Sequence, residues 1–207
     1  MDTMARRKEH SHQEIRLMAL DAVEQLLTQE EYASLSLRRI ASQVGYAPST
    51  LINLFGSYNY LLLSVSARVL GRLLEQMQLV CGQTFTSGEQ KLLALGKAYA
   101  EFAHNQPQAF RLVFALHLGP EEPLPESQQQ LIAELIGLLE QQLGDLLPNL
   151  SSSKLALASR SFWSSIHGLT GLALDDKLFS QASWLQLLTF QVHLWWTAMQ
   201  QEEGACS

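Results

Sequence analysis

Glu101 and His104 stand three residues apart, a spacing that metal-binding helices use. Helical di-iron carboxylate proteins carry the Glu-x-x-His motif on two helices and add a Glu from each of two others. The other instance in this sequence, Glu9 to His12, lies near the N-terminus, outside any predicted helical bundle. Because half of the ligand set is missing, the sequence predicts no metal site and no cofactor.

A second group, Ser164, Ser165 and His167, has the residue types of nucleophilic catalysis. A histidine activates a nucleophile efficiently when a third group orients its ring. No orienting acid can be assigned here, and the sequence contains neither a Gly-x-Ser-x-Gly turn nor a Gly-x-Gly-x-x-Gly turn. We therefore expect that the protein is not an enzyme.

Short polar side chains that follow a Gly-Tyr-Ala-Pro break suit a different chemistry, because they can form hydrogen bonds with the edges of DNA bases. Ser49, Thr50 and Asn53 carry suitable donors and acceptors. Arg38 and Arg39, before the break, are available for phosphates. Outside a DNA-binding motif the same residues would be an ordinary polar surface, so the interpretation depends on the helices that carry them.

Helices must position these side chains, because apolar residues recur with helical spacing throughout the chain. No segment alternates between apolar and polar residues in the manner of a strand. We therefore expect an all-α protein with about nine helices. Three helices precede residue 56, and a long helix follows Gly56-Ser57. The others are predicted at 89–104, 107–117, 127–147, 152–174 and about 181–201.

The first three helices have the features of a helix-turn-helix domain. Ser36 can cap the second helix, Gly45 can end it, and Pro48 suits the first turn of the third. In this motif the last helix reads the major groove of DNA. The predicted core takes one face of each helix: Ile15, Met18, Ala19, Ala22, Val23 and Leu26, then Leu37, Ile40, Ala41 and Val44, then Leu51, Leu54 and Phe55.

Residues 13 to 62 resemble the N-terminal domain of the tetracycline-repressor (TetR) family of transcription regulators. The resemblance implies an all-helical homodimer that binds a palindromic DNA operator, usually as a repressor, and releases it when a small-molecule effector binds. We expect a DNA-binding domain with a flexible arm at 1–60, and an effector-binding and dimerisation domain at 61–207. The matching positions are Ala22, Leu26, Tyr32, Ser36-Leu37, Ile40-Ala41, Gly45, Thr50-Leu51, Phe55, Ser57 and Leu61-Leu62.

The segment FWSSIHGLTGLAL resembles the Trp-His-Gly class of C-terminal domain in that family, through Trp163, His167 and Gly168. The effector pocket is expected to mix aromatic walls with a few polar groups. Each aromatic residue could instead be an ordinary core residue. The pocket candidates are Tyr99, Phe102, Phe110, Phe114, His117, Trp163 and His167.

The last two helices are apolar on two sides, and such a helix must be covered on both. Glycines inside the first of them favour close approach by another helix. A two-fold four-helix interface explains both features, as the family resemblance also implies, and the alternative is a monomeric core. The predicted interface comprises Phe162, Ile166, Gly168, Gly171, Trp184, Leu188, Val192 and Trp195.

Three positions depart from the family pattern, which has Tyr, Lys and Glu where this chain has Ile52, Tyr58 and Asn59. Losing the Tyr and the Lys removes contacts to the DNA backbone. The alternative function is therefore a helical homodimer with weakened or lost DNA binding, which acts through a protein partner or as a ligand-binding module. The predicted DNA-binding residues are Ser36, Arg38, Arg39, Ala47, Ser49, Thr50, Asn53 and Tyr58, and an arm with Arg6, Arg7 and Lys8 either tracks phosphates or is a solvated tail.

Composition limits the cellular setting of this 207-residue chain, whose net charge is −6. Its apolar stretches are shorter than the roughly 20 residues of a membrane span. The N-terminus lacks the apolar run of a signal peptide. Cys81 and Cys206 lie far apart and are read as free thiols. We expect a cytoplasmic protein without membrane contact.

Overall fold

A computed structural model describes residues 10–178 and 181–205. Within these ranges the chain is all-helical, with nine α-helices, one short 3₁₀ turn at Tyr32–Ser34 and no strand, as predicted. The helices are α1 (His12–Leu27), α2 (Leu37–Val44), α3 (Pro48–Phe55), α4 (Tyr58–Cys81), α5 (Gly88–Asn105), α6 (Pro107–Ala115), α7 (Glu126–Leu146), α8 (Ser152–Leu174) and α9 (Trp184–Gly204).

Side-chain caps decide where several helices begin. Ser11 and Glu14 form a capping box at α1, in which each side chain binds the backbone N–H of the other residue. Ser183 and Gln186 do the same for α9. The last helix therefore begins at Trp184 rather than at the predicted Gln181.

The chain divides into two compact units. The first unit comprises the described residues up to Val69 together with Gln108–Pro123, and the second comprises Leu70–Pro107 and the described residues from Leu124 onward. The compact units are defined by packing. The functional division at residue 60 stays a prediction.

In the first unit, α1, α2 and α3 pack around a common core, as the apolar spacing predicts. Met18 and Leu37 are only partly covered. The buried residues of this core include Ile15, Ala19, Ala22, Val23, Leu26, Ile40, Ala41, Val44, Leu51, Leu54 and Phe55.

In the second unit, α5 packs against both α8 and α9. A Cβ at Gly96 of α5 would lie 3.1 Å from Leu188 and 3.4 Å from Ile166, so the three helices meet closely at this glycine. Phe162 and Val192 are buried too, and the ring of Phe162 lies edge-to-face against Trp195. These contacts identify the inward faces of α8 and α9.

Candidate DNA-reading surface and effector centre

The turn between α2 and α3 is held by local hydrogen bonds. Ser36 caps α2 through a hydrogen bond that its hydroxyl accepts from the backbone N–H of Arg39, at 3.4 Å. Gly45 has φ of 80°, in the left-handed region that favours glycine, and its N–H and that of Tyr46 both donate to the carbonyl of Ala41. Pro48 follows at the start of α3, where no N–H is needed.

α3 presents a polar face opposite its buried one. Ala47, Ser49 and Asn53 are exposed, whereas Thr50 and Ile52 are partly covered. Because the other side of the helix is anchored in the core, this face has a fixed orientation. Its short donors and acceptors suit contacts with base edges in a major groove.

The two predicted cations of α2 have different surroundings. Arg38 is exposed. Arg39 also reaches solvent, but its guanidinium lies 2.8 Å from Oε2 of Glu30. A phosphate would therefore have to compete with Glu30 for Arg39. Arg6, Arg7 and Lys8 lie outside the described residues.

Two contacts that the sequence did not reveal join α1, and His10 just before it, to the helix-turn-helix. The guanidinium of Arg16 donates to the backbone carbonyl of Leu54, and its Cζ lies 5.0 Å from the centre of the Phe55 ring. Nδ1 of His10 lies 2.8 Å from the hydroxyl of Tyr46, in the turn before α3. Both join residues about 40 positions apart, so periodicity gives no signal for them.

A polar centre within the second unit brings together three of the predicted pocket residues. The hydroxyl of Tyr99 lies 2.8 Å from Nδ1 of His167, and it is also hydrogen-bonded to the side chain of Trp163. The Trp163 and His167 rings are stacked with centroids 5.4 Å apart. Phe102, one turn along α5 from Tyr99, is buried.

Burial controls the protonation of this centre. Desolvation raises the pKa of Tyr99 and lowers the pKa of His167. Both groups are therefore neutral near pH 7. Indole N–H is a donor only, so Trp163 donates to the Tyr99 oxygen, which leaves the Tyr99 hydroxyl proton for His167.

The remaining pocket candidates lie in the first unit. Phe110 is buried against Phe114, with ring centroids 5.0 Å apart, and Phe114 is partly exposed. His117 is exposed and its Nδ1 lies 2.7 Å from the carbonyl of Ala115. The seven predicted residues thus fall in both units, and their role in one pocket stays a prediction.

The predicted dimer interface needs a correction. Phe162, Ile166, Leu188 and Val192 are buried within the chain itself, so their side chains are not available to a second copy. Two apolar stripes were predicted on each helix, but spacing alone did not show which stripe faces α5. Gly168 is exposed, Gly171, Trp184 and Trp195 are partly covered, and the other large apolar residues of α8 and α9 that are exposed are Leu157, Trp163, Leu172, Leu185, Phe190 and Leu194.

Solved structures share this fold at low sequence identity. A protein of unknown function from Rhodococcus sp. RHA1 aligns with a TM-score of 0.74 at 17% identity, over 94% of this chain and 98% of that chain. A TetR-family transcriptional regulator from Streptomyces coelicolor aligns at 0.68 and 18%, over 96% and 85%. The transcriptional regulator FadR from Bacillus subtilis, solved with stearoyl-CoA, aligns at 0.62 and 17%, over 86% and 96%.

The sequence itself identifies the family. Residues 92–193 match the family model of the tetracyclin repressor-like C-terminal domain. This C-terminal region of the chain belongs to the TetR family. Trp163, His167 and Gly168 lie inside the matched range, and assignment to the Trp-His-Gly class stays a prediction.

The departures from the TetR pattern have structural counterparts. Tyr58, at the start of α4, is partly covered, and desolvation raises the pKa of its phenol. This neutral side chain cannot replace the charge of a Lys. The Asn59 amide donates to Oε2 of Glu122 at 2.6 Å, a partner that a Glu at position 59 would repel.

Glu101 and His104, the residues with metal-binding spacing, take part in other contacts. Glu101 lies 3.6 Å from the Lys97 ammonium, and His104 stacks on Trp184 with Nδ1 2.8 Å from the carbonyl of Ala100. Among residues 10–178 and 181–205, no cluster of three His, Cys, Asp or Glu side chains is placed to hold a metal ion. Over the same residues, no helix has the length and apolar character to cross a membrane.

Proposed function

We propose that this protein is a one-component transcriptional regulator of the cytoplasm that binds a palindromic operator as a homodimer. The observation that carries the proposal is the exposed polar face of α3, which the buried Leu51, Leu54 and Phe55 hold in place. Repression is the family's usual mode, and we adopt it here. A small-molecule effector then releases the DNA.

Base reading is assigned to Ser49, Thr50 and Asn53, whose side chains offer both donors and acceptors. A good contact of this kind discriminates between bases by about 1–3 kcal/mol. Ser36, Arg38, Arg39, Ala47 and Tyr58 would lie along the sugar-phosphate backbone. Of these, Arg38 supplies the charge most directly, because Arg39 is paired with Glu30.

A palindrome requires two reading helices about 34 Å apart, or a multiple of that distance, and a homodimer provides them. The apolar outer face of α8 and α9 supports the dimer. Leu172 is 47% exposed, Phe190 62% and Leu194 53%. Gly168 shares the exposed surface of α8, and a Cβ there would meet nothing within 4 Å in the chain itself. A partner helix could therefore approach closely.

The effector is proposed to be a partly apolar small molecule that binds near Tyr99, Phe102, Trp163 and His167. Tyr99 and Phe102 are buried and Trp163 is partly exposed, and aromatic rings beside a few polar groups are typical of such sites. FadR from Bacillus subtilis was solved with stearoyl-CoA, a ligand with a long apolar part, which agrees with this class. The effector must bind better to the state that does not fit the operator.

The test is selection of bound fragments from a random DNA pool, at low and moderate salt. Arg38→Ala/Asn53→Ala is the test variant, and Gln130→Ala, an exposed change in α7, is the matched control. We expect a palindrome whose binding weakens steeply with salt, is lost in the test variant and persists in the control. No enrichment from a folded dimer would contradict the proposal. That outcome would favour the alternative function, a helical homodimer that acts through a protein partner or as a ligand-binding module. The observations that favour this alternative are Ile52, Tyr58 and the ion pair between Arg39 and Glu30.

A further inference from the structure

The segment 108–123, which contains most of α6 and the chain after it, is fastened at both ends to other parts of the first unit. At its start, Oε1 of Gln108 accepts a hydrogen bond from the backbone N–H of Tyr32, at 3.2 Å. At its end, the carbonyl of Pro123 accepts one from the hydroxyl of Tyr60, at 3.1 Å. The segment therefore has two separate attachment points on this unit.

The second attachment is reinforced by a carboxylate. Oε2 of Glu122 accepts hydrogen bonds from Nδ2 of Asn59 at 2.6 Å and from the backbone N–H of Gly119 at 2.9 Å. The Ser57 side chain also binds this carboxylate. One side chain thus joins its own loop to the residues that begin α4.

The position of this carboxylate suits its charge. Ser57 precedes α4, and its hydroxyl oxygen accepts a hydrogen bond from the backbone N–H of Tyr60, at 3.1 Å. A negative charge is favoured at the N-terminus of a helix. Hydrogen bonds from Asn59, Ser57 and Gly119 lower the pKa of Glu122, so it is ionised at neutral pH.

The first turn of α4 is also close in sequence to the reading helix. α3 ends at Phe55, and only Gly56 and Ser57 separate it from α4. Gly56 has φ of 89°, which favours glycine and makes the corner tight. Any displacement of the first turn of α4 therefore acts directly on the C-terminal end of α3.

We propose that Asn59 and Glu122 form a clasp that fastens segment 108–123 to the first turn of α4 and holds the α3–α4 corner in its DNA-reading position. Both are positioning residues. The effect on DNA rests on the proposed function, whereas the clasp itself does not. The pair also explains why an amide stands at position 59, since a second carboxylate would face Glu122.

Amide hydrogen exchange without DNA tests the clasp. Asn59→Asp puts two carboxylates together and should accelerate exchange at Gly119 and Tyr60 ~10-fold, because a charge-assisted hydrogen bond is lost. Adding Glu122→Gln removes the repulsion, since a neutral amide that can donate a hydrogen bond then faces the new carboxylate at position 59. This double variant has the net charge of the natural chain, and its exchange should return close to the natural rate.

Glu121→Gln is the matched control, since it removes a neighbouring exposed carboxylate from the same loop. Unchanged exchange in Asn59→Asp would overturn the clasp. So would equal acceleration in Glu121→Gln, or no recovery in the double variant.

Affinity for the selected operator tests the effect on DNA. Asn59→Asp should bind ~10-fold more weakly, and the double variant should recover although it keeps the new charge at position 59. Equal affinities for the natural chain and Asn59→Asp would overturn the coupling to DNA, even if exchange confirms the clasp. If the natural chain selects no DNA, the proposed function and this coupling both fail, and exchange still decides the clasp.

Discussion

The hydroxyl of Tyr99 is hydrogen-bonded to Nδ1 of His167 across 2.8 Å, and this contact joins α5 to α8 inside the second unit. Desolvation lowers the pKa of His167. The ring therefore resists protonation in the folded protein more than it does in the unfolded chain. The consequence is a pH dependence of stability with a definite sign.

The free energy of unfolding should fall as the pH drops below about 6.5, the ordinary pKa of histidine. In that range the unfolded chain binds a proton that the folded chain does not, and stability then rises with pH. The contribution is fully present above about pH 7. Urea unfolding of the natural chain and of His167→Gln at about pH 7.5 and about pH 5.5 measures it.

His167→Gln should show a smaller loss of stability between the two pH values than the natural chain. His12→Gln, which removes an exposed histidine at the start of α1, is the control and should lose as much as the natural chain. An equal loss in His167→Gln and the natural chain would show that His167 does not carry the dependence.

Gly88 leaves room for an indole ring at the start of α5. A Cβ at this position would lie 2.8 Å from Cζ2 of Trp196 and closer still to Cη2. Gly88→Ala should therefore lower the free energy of unfolding by roughly 1–3 kcal/mol, because the ring must move. Urea unfolding measures the change, and Trp196→Leu in the same chain should remove most of the penalty.

Gly137 in α7 is the matched control for this substitution, since a Cβ there would meet nothing within 4 Å. Gly137→Ala should be neutral or stabilise by up to about 1 kcal/mol through helix propensity. Equal effects of the two alanines would mean that Trp196 does not pack on Gly88 in solution.

Arg16 supports the end of α3 from α1, through the Leu54 carbonyl and the Phe55 ring. Arg16→Met keeps the apolar stem but removes the guanidinium, and should cost roughly 1–2 kcal/mol of unfolding free energy. Arg16→Lys should recover only part of it, because an ammonium cannot match a planar guanidinium. Urea unfolding beside Gln13→Ala, an exposed change on α1, checks this. Equal free energies of unfolding for Arg16→Met and Gln13→Ala would contradict this prediction.

Features that depend on neighbouring residues in the chain were predictable. Ser36, Gly45 and Pro48 define the helix-turn-helix through caps and backbone preferences that act within a few positions. The start of α9 is predictable from the sequence too, because Ser183 and Gln186 have the spacing of a capping box. Gln181 has no such spacing, because Trp184 stands three residues after it and Gln is not a preferred N-cap residue.

Features that depend on distant residues were not predictable. Leu188 and Phe190 are both apolar residues of α9, yet Leu188 packs on Gly96 and Phe190 is 62% exposed. The periodicity of α9 does not distinguish these two residues, because contact with α5 determines which of them is buried. The Asn59–Glu122 pair joins positions 63 residues apart and likewise has no local signature.

The exposed apolar face of α9 predicts where two copies of the chain meet. Phe190 and Leu194 are four residues apart, on one side of the helix, and are 62% and 53% exposed. Phe190→Asp/Leu194→Asp places two charges on that face without touching the core. If the face is the centre of a dimer, the dissociation constant should rise by at least ~100-fold, as it does when an interface hot spot is lost.

Sedimentation equilibrium over a range of protein concentrations measures the dissociation constant, and circular dichroism shows whether the helices persist. Leu79→Asp is the matched control, because Leu79 is 73% exposed near the end of α4 and lies outside the proposed interface. The double variant should be a helical monomer under conditions in which the natural chain and Leu79→Asp are dimers. A dimer that survives in the double variant would place the interface on another surface, and dissociation by Leu79→Asp would place it at α4.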